Sequence, residues 1–174
     1  MFIKKNLIIV AVIVVFFTFA VPVSANPYSL YGQGNCALFA YEMMSKFWPT
    51  TFTVYRHYNA GDWVKLIGQK KKREGVIFEI CSTDRPMAGD FIIWPSSLTN
   101  PLGHIAFITN VTQSCYVDLE LSQFKCDTFY DVLESSNHAE DYFFANTLNG
   151  CRYREYWYSN TETDGCIFLT YKKV

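Results

Sequence analysis

The sequence predicts an α+β domain in which an N-terminal helix packs on an antiparallel β-sheet. Helical spacing of apolar residues is confined to the first part of the chain, before residue 76. From there on, β-branched and aromatic runs alternate with Pro, Gly, Asn and Ser. Helices followed by strands, rather than alternating with them, are typical of α+β domains. No internal repeat or linker indicates a second domain.

The N-terminus has the pattern of a secretory signal peptide. Two lysines precede an apolar run over residues 7–21, and small residues follow at 23–25. A membrane anchor is the alternative, but this run would reach only about 22 Å, short of the roughly 30 Å hydrocarbon layer. We therefore expect a signal peptide of residues 1–25, a mature domain of residues 26–174, secretion to the extracellular space or periplasm, and no stable membrane anchor.

The first predicted helix starts at Cys36. Asn35 is a good N-cap, and Pro49 stops the helical pattern. This places Cys36 on the first turn of a helix with one buried face. The apolar residues at helical spacing are Ala37, Ala40, Met43, Met44 and Phe47.

A second helix is predicted from Asn59 to about Lys72, with Trp63, Leu66 and Ile67 on its apolar face. The basic run Lys70–Arg73 would lie at its C-terminal end, where the helix dipole favours positive charge. Seven strands are expected after it: Val76–Ile80, Phe91–Trp94, His104–Val111, Tyr116–Leu121, Phe129–Glu134, Arg152–Tyr158 and Ile167–Tyr171.

Charge and spacing exclude several classes of ligand. The formal net charge of −1 gives no electrostatic basis for binding nucleic acid. No C-x-x-C or H-x-x-x-H spacing indicates a metal site. The segment Gly32–Ala37 fits a dinucleotide-binding turn, but the alternating strand–helix units of such a fold are absent. We expect neither a metal nor a cofactor.

The six cysteines all follow the predicted signal peptide, where thiols tend to form disulfides. If Cys36 stays free for chemistry, the other five allow at most two bridges. Cys115 with Cys126 could close a hairpin, and Cys151 with Cys166 could close the next one. The sequence does not fix this connectivity.

Cys36 and His104 are the candidate nucleophile and base. At a helix N-terminus, unpaired N–H groups and the helix dipole favour a thiolate. The same N–H groups could stabilise an oxyanion, with the Gln33 amide as an extra donor. His104 follows a Pro-Leu-Gly turn and opens an apolar strand, so a rigid element would hold its ring. A buried or disulfide-bonded Cys36 is the structural alternative.

Glu134 is the candidate third member, because it ends a strand that could neighbour the His104 strand. A carboxylate there would orient the imidazole, and Ser136 or Asn137 could add a hydrogen bond. The alternative is a solvated acid at a strand end. The remaining histidines, His57 and His138, lie in irregular or loop segments and are expected to be surface or structural residues.

In this order, these residues resemble the CHAP family, the cysteine- and histidine-dependent amidohydrolases and peptidases related to the papain-like NlpC/P60 group. Five segments carry the resemblance. They are the cysteine motif from Asn26-Pro27-Tyr28 to Gly34–Ala37, the Tyr58–Trp63 segment, the Arg85–Phe91 strand entry, the histidine motif Gly103–Phe107 and the acidic Val132-Leu133-Glu134. The family's Glu-x-Asn is here Glu-Ser-Ser-Asn, so either Ser136 or Asn137 takes the place of its asparagine.

The resemblance implies a papain-like fold and hydrolysis of amide bonds, most often in peptidoglycan. A minority branch of similar domains cleaves glutathionylspermidine-type amides, and a non-wall peptide is a further alternative substrate. A third alternative is a disulfide-stabilised binding module without turnover, which the 18% aromatic content would suit.

Overall fold

The structure is a computed structural model that describes residues 35–135, 146–148 and 151–174. Within these ranges no helix is long and apolar enough to cross a membrane. The elements are α1 (Cys36–Phe47), a 3₁₀ helix (Ala60–Leu66), β1 (Lys70–Arg73), β2 (Val76–Thr83), β3 (Phe91–Trp94), β4 (His104–Asp118), β5 (Gln123–Glu134), β6 (Asn146–Leu148), β7 (Cys151–Ser159) and β8 (Ile167–Lys173). The expected α+β class is confirmed.

The eight described strands form one sheet in the order β1-β2-β8-β3-β4-β5-β7-β6. Each pair of neighbours is antiparallel. The last strand of the chain, β8, lies between β2 and β3 and pairs with both. The middle of the sheet therefore joins segments that are far apart in sequence.

The helix α1 covers one face of the sheet and packs mainly on β4, β5 and β7. Of the apolar residues predicted for its buried face, Ala37, Ala40, Met43 and Met44 are buried, whereas Phe47 is 51% exposed. The other face carries a smaller cluster of Ile92, Ala106, Ile108, Tyr130 and Val132. The main core includes Ala37, Phe39, Ala40, Met43, Met44, Trp63, Phe91, Ile93, Ile105 and Phe107.

The second predicted helix is wrong beyond its first turns. The 3₁₀ helix ends at Leu66, and the chain then turns at Gly68, whose φ is +86° and whose N–H donates to the Ile80 carbonyl. A φ in that range favours glycine and interrupts a helix. The basic run Lys70–Arg73 is therefore not a helix end but the exposed edge strand β1. Lysines on an edge strand discourage pairing with other chains.

Two predicted strands are one long strand, since β4 runs without interruption from His104 to Asp118. It pairs with β5 from Ala106 to Asp118, with a register shift between Ile108 and Asn110. Cys115 and Cys126 are direct register partners in this hairpin and form a disulfide, as the first of the two suggested pairings has it.

The second suggested pairing, Cys151 with Cys166, is not present. Cys151 belongs to the core on the α1 side, whereas Cys166 packs against the cluster on the opposite face. The sheet separates the two sulfurs, so the pairing predicted from their spacing in the sequence is wrong. Both are free thiols, as are Cys36 and Cys81.

Candidate active site

Cys36 is the first residue of α1, as its sequence context predicts. The Asn35 side chain caps the helix, and its Oδ1 accepts the N–H groups of Ala37 at 2.9 Å and Leu38 at 3.0 Å. These two donors are therefore engaged and do not face a ligand. Of the N–H groups of Cys36, Ala37 and Leu38, the cap leaves that of Cys36 for an oxyanion. Fewer helix N–H groups can therefore stabilise an oxyanion than the sequence led us to expect.

His104 is the first residue of β4, directly opposite Trp94 of β3. The loop before it is held tightly, because Gly103 has φ +67° and the Gly61 N–H donates to the Leu102 carbonyl at 3.0 Å. A Cβ on Gly103 would lie 2.5 Å from the Trp94 carbonyl oxygen, so only glycine fits. The histidine therefore sits at the end of a rigid strand behind a fixed turn.

The 3₁₀ helix supports this turn. It contains most of the Tyr58–Trp63 motif, and the buried Trp63 anchors it in the main core. At its start, the Asn59 N–H donates to Asp62 Oδ2 at 3.0 Å. The motif therefore has a structural role, which is to fix Gly61 against the loop that precedes His104.

Glu134 is the last residue of β5 and faces Ala106, two residues along β4 from His104. Its side chain is only 2% exposed, so it is not a solvated strand-end acid. Oε2 lies 2.7 Å from His104 Nε2. Strand pairing thus brings together two residues that are 30 positions apart in sequence.

Cys36 interacts with the same imidazole, because its side chain is among the groups that raise the pKa of His104. Because Nε2 contacts Glu134, Nδ1 is the ring nitrogen left for the sulfur. An ionised carboxylate can only accept, so Nε2 carries a proton and donates it to Glu134. Sulfur, imidazole and carboxylate therefore form one interacting group, in which the imidazole–carboxylate contact is 2.7 Å.

His104 and Glu134 stabilise each other's charged forms. Burial lowers the pKa of His104, but hydrogen bonds with Cys36 and Glu134 outweigh it and raise that pKa from 6.5 to about 9. Burial raises the pKa of Glu134, yet the hydrogen bond and charge of His104 dominate and leave that pKa below its ordinary value. The favoured state pairs an imidazolium with a carboxylate.

Two residues that were not expected from the sequence complete the surroundings of Glu134. Arg154 of β7 donates from Nε to Glu134 Oε1 at 2.6 Å, and its Nη2 contacts the same oxygen. The Tyr158 hydroxyl donates to Oε2 at 2.8 Å. Arg154 is the direct register partner of Glu134 across β5 and β7. An arginine inside a predicted strand can indicate a buried acidic partner, but the sequence does not identify which acid that is.

Of the remaining candidates, only His57 lies among the described residues, and it is not part of this group. His57 is exposed and stacks on Tyr55, as expected for a surface residue. The predicted auxiliary residues Gln33, Ser136 and Asn137 lie outside the described residues, and so does His138.

Comparison with known proteins identifies the family. The family model described as the CHAP domain matches residues 25–120, which is more than half of the chain. The matched part includes Cys36 and His104 and ends before Glu134. No curated protein and no solved structure gave a significant match. With the matched region carrying both the helix-borne cysteine and the strand-borne histidine, this chain belongs to the CHAP domain family.

Proposed function

We propose that the protein is a cysteine amidohydrolase or peptidase with a papain-like arrangement, in which Cys36 is the nucleophile, His104 the base and Glu134 the orienting acid. The observation that carries this proposal is the 2.7 Å contact of His104 with the buried Glu134, together with the influence of the helix-borne Cys36 on the same imidazole. A helix-borne thiol beside a strand-borne imidazole is the arrangement that covalent acyl transfer requires. The family's amidase and peptidase activities agree with it.

The reaction would proceed in two halves. The Cys36 thiolate attacks the carbonyl carbon of an amide, and the His104 imidazolium gives its proton to the leaving nitrogen as the C–N bond breaks. The neutral imidazole then takes a proton from water, whose oxygen attacks the thioester and releases the acid and the thiolate. Glu134 accepts the Nε2 hydrogen bond throughout, which keeps Nδ1 directed at the sulfur.

The oxyanion of each tetrahedral intermediate needs donors near Cys36. The N–H of Cys36 suits this role, since the Asn35 cap takes the next two N–H groups. The Gln33 amide is the second donor that we propose from its position before the helix. Either Ser136 or Asn137 would add a hydrogen bond near Glu134.

Peptidoglycan is the substrate class we propose, in line with the family. A signal peptide of residues 1–25 would deliver the domain of residues 26–174 to the cell wall outside the membrane. A non-wall peptide, or an amide of the glutathionylspermidine type, would use the same chemistry. The test is incubation of the mature protein with purified peptidoglycan and with peptide and polyamine amides, followed by mass spectrometry of new termini. Unchanged muropeptides beside a cleaved peptide would overturn the substrate but not the mechanism.

Selective alkylation is expected at Cys36. Burial raises the pKa of Cys81, and it raises those of Cys151 to about 11 and Cys166 to about 12. These thiols stay protonated at pH 7, whereas an imidazolium lies beside the Cys36 sulfur. Iodoacetamide under native, non-reducing conditions should add one equivalent, and peptide mapping should place it on Cys36.

A binding module without turnover predicts a different result. Its Cys36 would be unreactive or held in a disulfide, and the label would be absent or spread over several thiols. Either pattern in the folded, oxidised protein would favour that alternative over the enzyme.

The rate of hydrolysis should fall as pH rises through about 9. The pKa of His104 is raised from 6.5 to about 9, so its imidazolium persists below that pH and is lost above it. Without this proton the leaving nitrogen departs as an anion, which is much slower. The kcat/KM profile against pH checks this. Glu134→Gln removes the carboxylate that stabilises the imidazolium, so the high-pH limb of this variant's kcat/KM profile should move to lower pH. A high-pH limb at the wild-type position would contradict the role assigned to Glu134.

A further inference from the structure

We propose that Arg154 and Tyr158 are positioning residues that fix the buried Glu134 carboxylate against His104, and through it the imidazole against Cys36. The inference rests on the proposed function. It gives strand β7 a role in positioning the active site, although this strand lies beyond the part of the chain that the family match covers. Neither residue reaches the sulfur in this scheme; both act through Glu134.

Hydrogen-bond donors saturate the Glu134 carboxylate. Oε1 contacts Nε and Nη2 of Arg154, and Oε2 accepts hydrogen bonds from the Tyr158 hydroxyl and from Nε2 of His104. A carboxylate has about four acceptor positions, so these four donors occupy all of them. Rotation of the carboxylate would break several of these bonds at once. One orientation of Glu134 is thereby selected, and with it one orientation of the imidazole.

Arg154 also balances the charge of Glu134 during turnover. His104 is a cation only for part of the proposed cycle, because it gives its proton to the leaving nitrogen. An ionised carboxylate that is 2% exposed needs a cation beside it at every stage. The Arg154 guanidinium is always protonated and supplies that cation while His104 is neutral. Glu134 can then stay ionised and in place until His104 is protonated again.

Tyr158 is held in place at both its hydroxyl and its ring. Burial and the charge of Glu134 raise the pKa of Tyr158, so its hydroxyl stays a proton donor. Its ring lies 4.7 Å from that of Trp94, and Trp94 lies 5.4 Å from the imidazole of His104. The tyrosine thus contacts Glu134 with its hydroxyl and the neighbour of His104 with its ring. Both contacts limit movement of the histidine.

The test compares Arg154→Gln, Arg154→Lys and Tyr158→Phe with two controls on the same strand, Arg152→Gln and Tyr156→Phe. The Arg152 control removes an exposed guanidinium. The Tyr156 control removes only a phenol hydroxyl and keeps the ring, whose centroid lies 4.3 Å from the Arg154 guanidinium carbon. We expect kcat to fall about 10- to 100-fold in Arg154→Gln and about 10-fold in Tyr158→Phe, with KM changed less than about 2-fold. Arg154→Lys should recover part of the rate, since it keeps the cation but loses the two-pronged contact.

A second readout needs no substrate, namely the pH dependence of Cys36 alkylation. Loss of Glu134 positioning weakens its hold on the imidazolium, so the inflection near pH 9 should move to lower pH in Arg154→Gln and Tyr158→Phe. Mere removal of a nearby positive charge would move it to higher pH. The direction of the shift therefore separates positioning from a through-space charge effect.

The proposal is overturned if folded Arg154→Gln and Tyr158→Phe keep the wild-type kcat and inflection, or if the inflection moves upward. Circular dichroism and thermal unfolding establish the fold. Should Arg154→Gln fail to fold, the milder Arg154→Lys and Tyr158→Phe decide the question. Failure of the proposed function has a different signature, in which wild-type Cys36 is alkylated but no amide is cleaved. In that case the alkylation profiles still test the roles of Arg154 and Tyr158.

Discussion

Cys36→Ala should abolish amide hydrolysis while leaving the fold intact. The change removes the atom that forms the acyl-enzyme, and no neighbouring group can replace it as the nucleophile. By analogy with other covalent hydrolases, the expected loss in kcat is about 10⁴- to 10⁶-fold. Because Cys36 is partly exposed at the start of α1, the loss of its sulfur leaves little cavity. Mass spectrometry of digested substrate gives the rate, and thermal unfolding gives the stability.

Cys81→Ala is the matched control, since Cys81 is another free and partly exposed thiol, on β2. It should keep the wild-type rate. The assignment would be wrong if Cys36→Ala retained more than about one hundredth of the activity in a folded protein, or if the control lost it instead.

His104→Ala should be nearly as damaging as Cys36→Ala. The imidazole is needed twice, first as the cation beside the thiolate and acid for the leaving nitrogen, then as the base for water. The two residues act as a unit, so the double variant should be about as inactive as Cys36→Ala alone. The same digestion assay measures all three. An additive further loss in the double variant would mean that the two side chains act independently.

His57→Ala serves as the control for His104→Ala. His57 is exposed and stacks on Tyr55, outside the group formed by Cys36, His104 and Glu134. Its removal should leave the rate unchanged. If His57→Ala were inactive and His104→Ala active, both as folded proteins, the base would have been assigned to the wrong residue.

Features with local signals could be predicted from the sequence. Helix α1 starts and ends where the Asn35 cap and Pro49 indicate, because capping and proline act on their immediate neighbours. The placement of His104 at a strand start follows from the turn before it, and Glu134 at a strand end follows from the apolar run before it. All three proposed catalytic residues were thus placed at the ends of elements by their neighbours in the sequence.

Features set by long-range pairing could not be predicted in the same way. The run Lys70–Arg73 is an edge strand because β2 offers it a partner, although its local pattern continues a helix. The contacts of Arg154 with Glu134 depend on the register of β5 with β7, which no short motif records. The separation of Cys151 from Cys166 depends on which face of the sheet each occupies.

The position of β8 has a consequence for the order of folding. Residues 167–173 fill the gap between β2 and β3, so the two sides of the sheet are not bridged until β8 has been synthesised. Pairings of such high contact order are slow, because the closure entropy of a long loop precedes any gain from the contacts. The sheet that carries His104 and Glu134 therefore cannot be completed before β8 has been synthesised and has paired. A growing chain holds Cys36 from early on, but it lacks the finished support for its partners until β8 is in place.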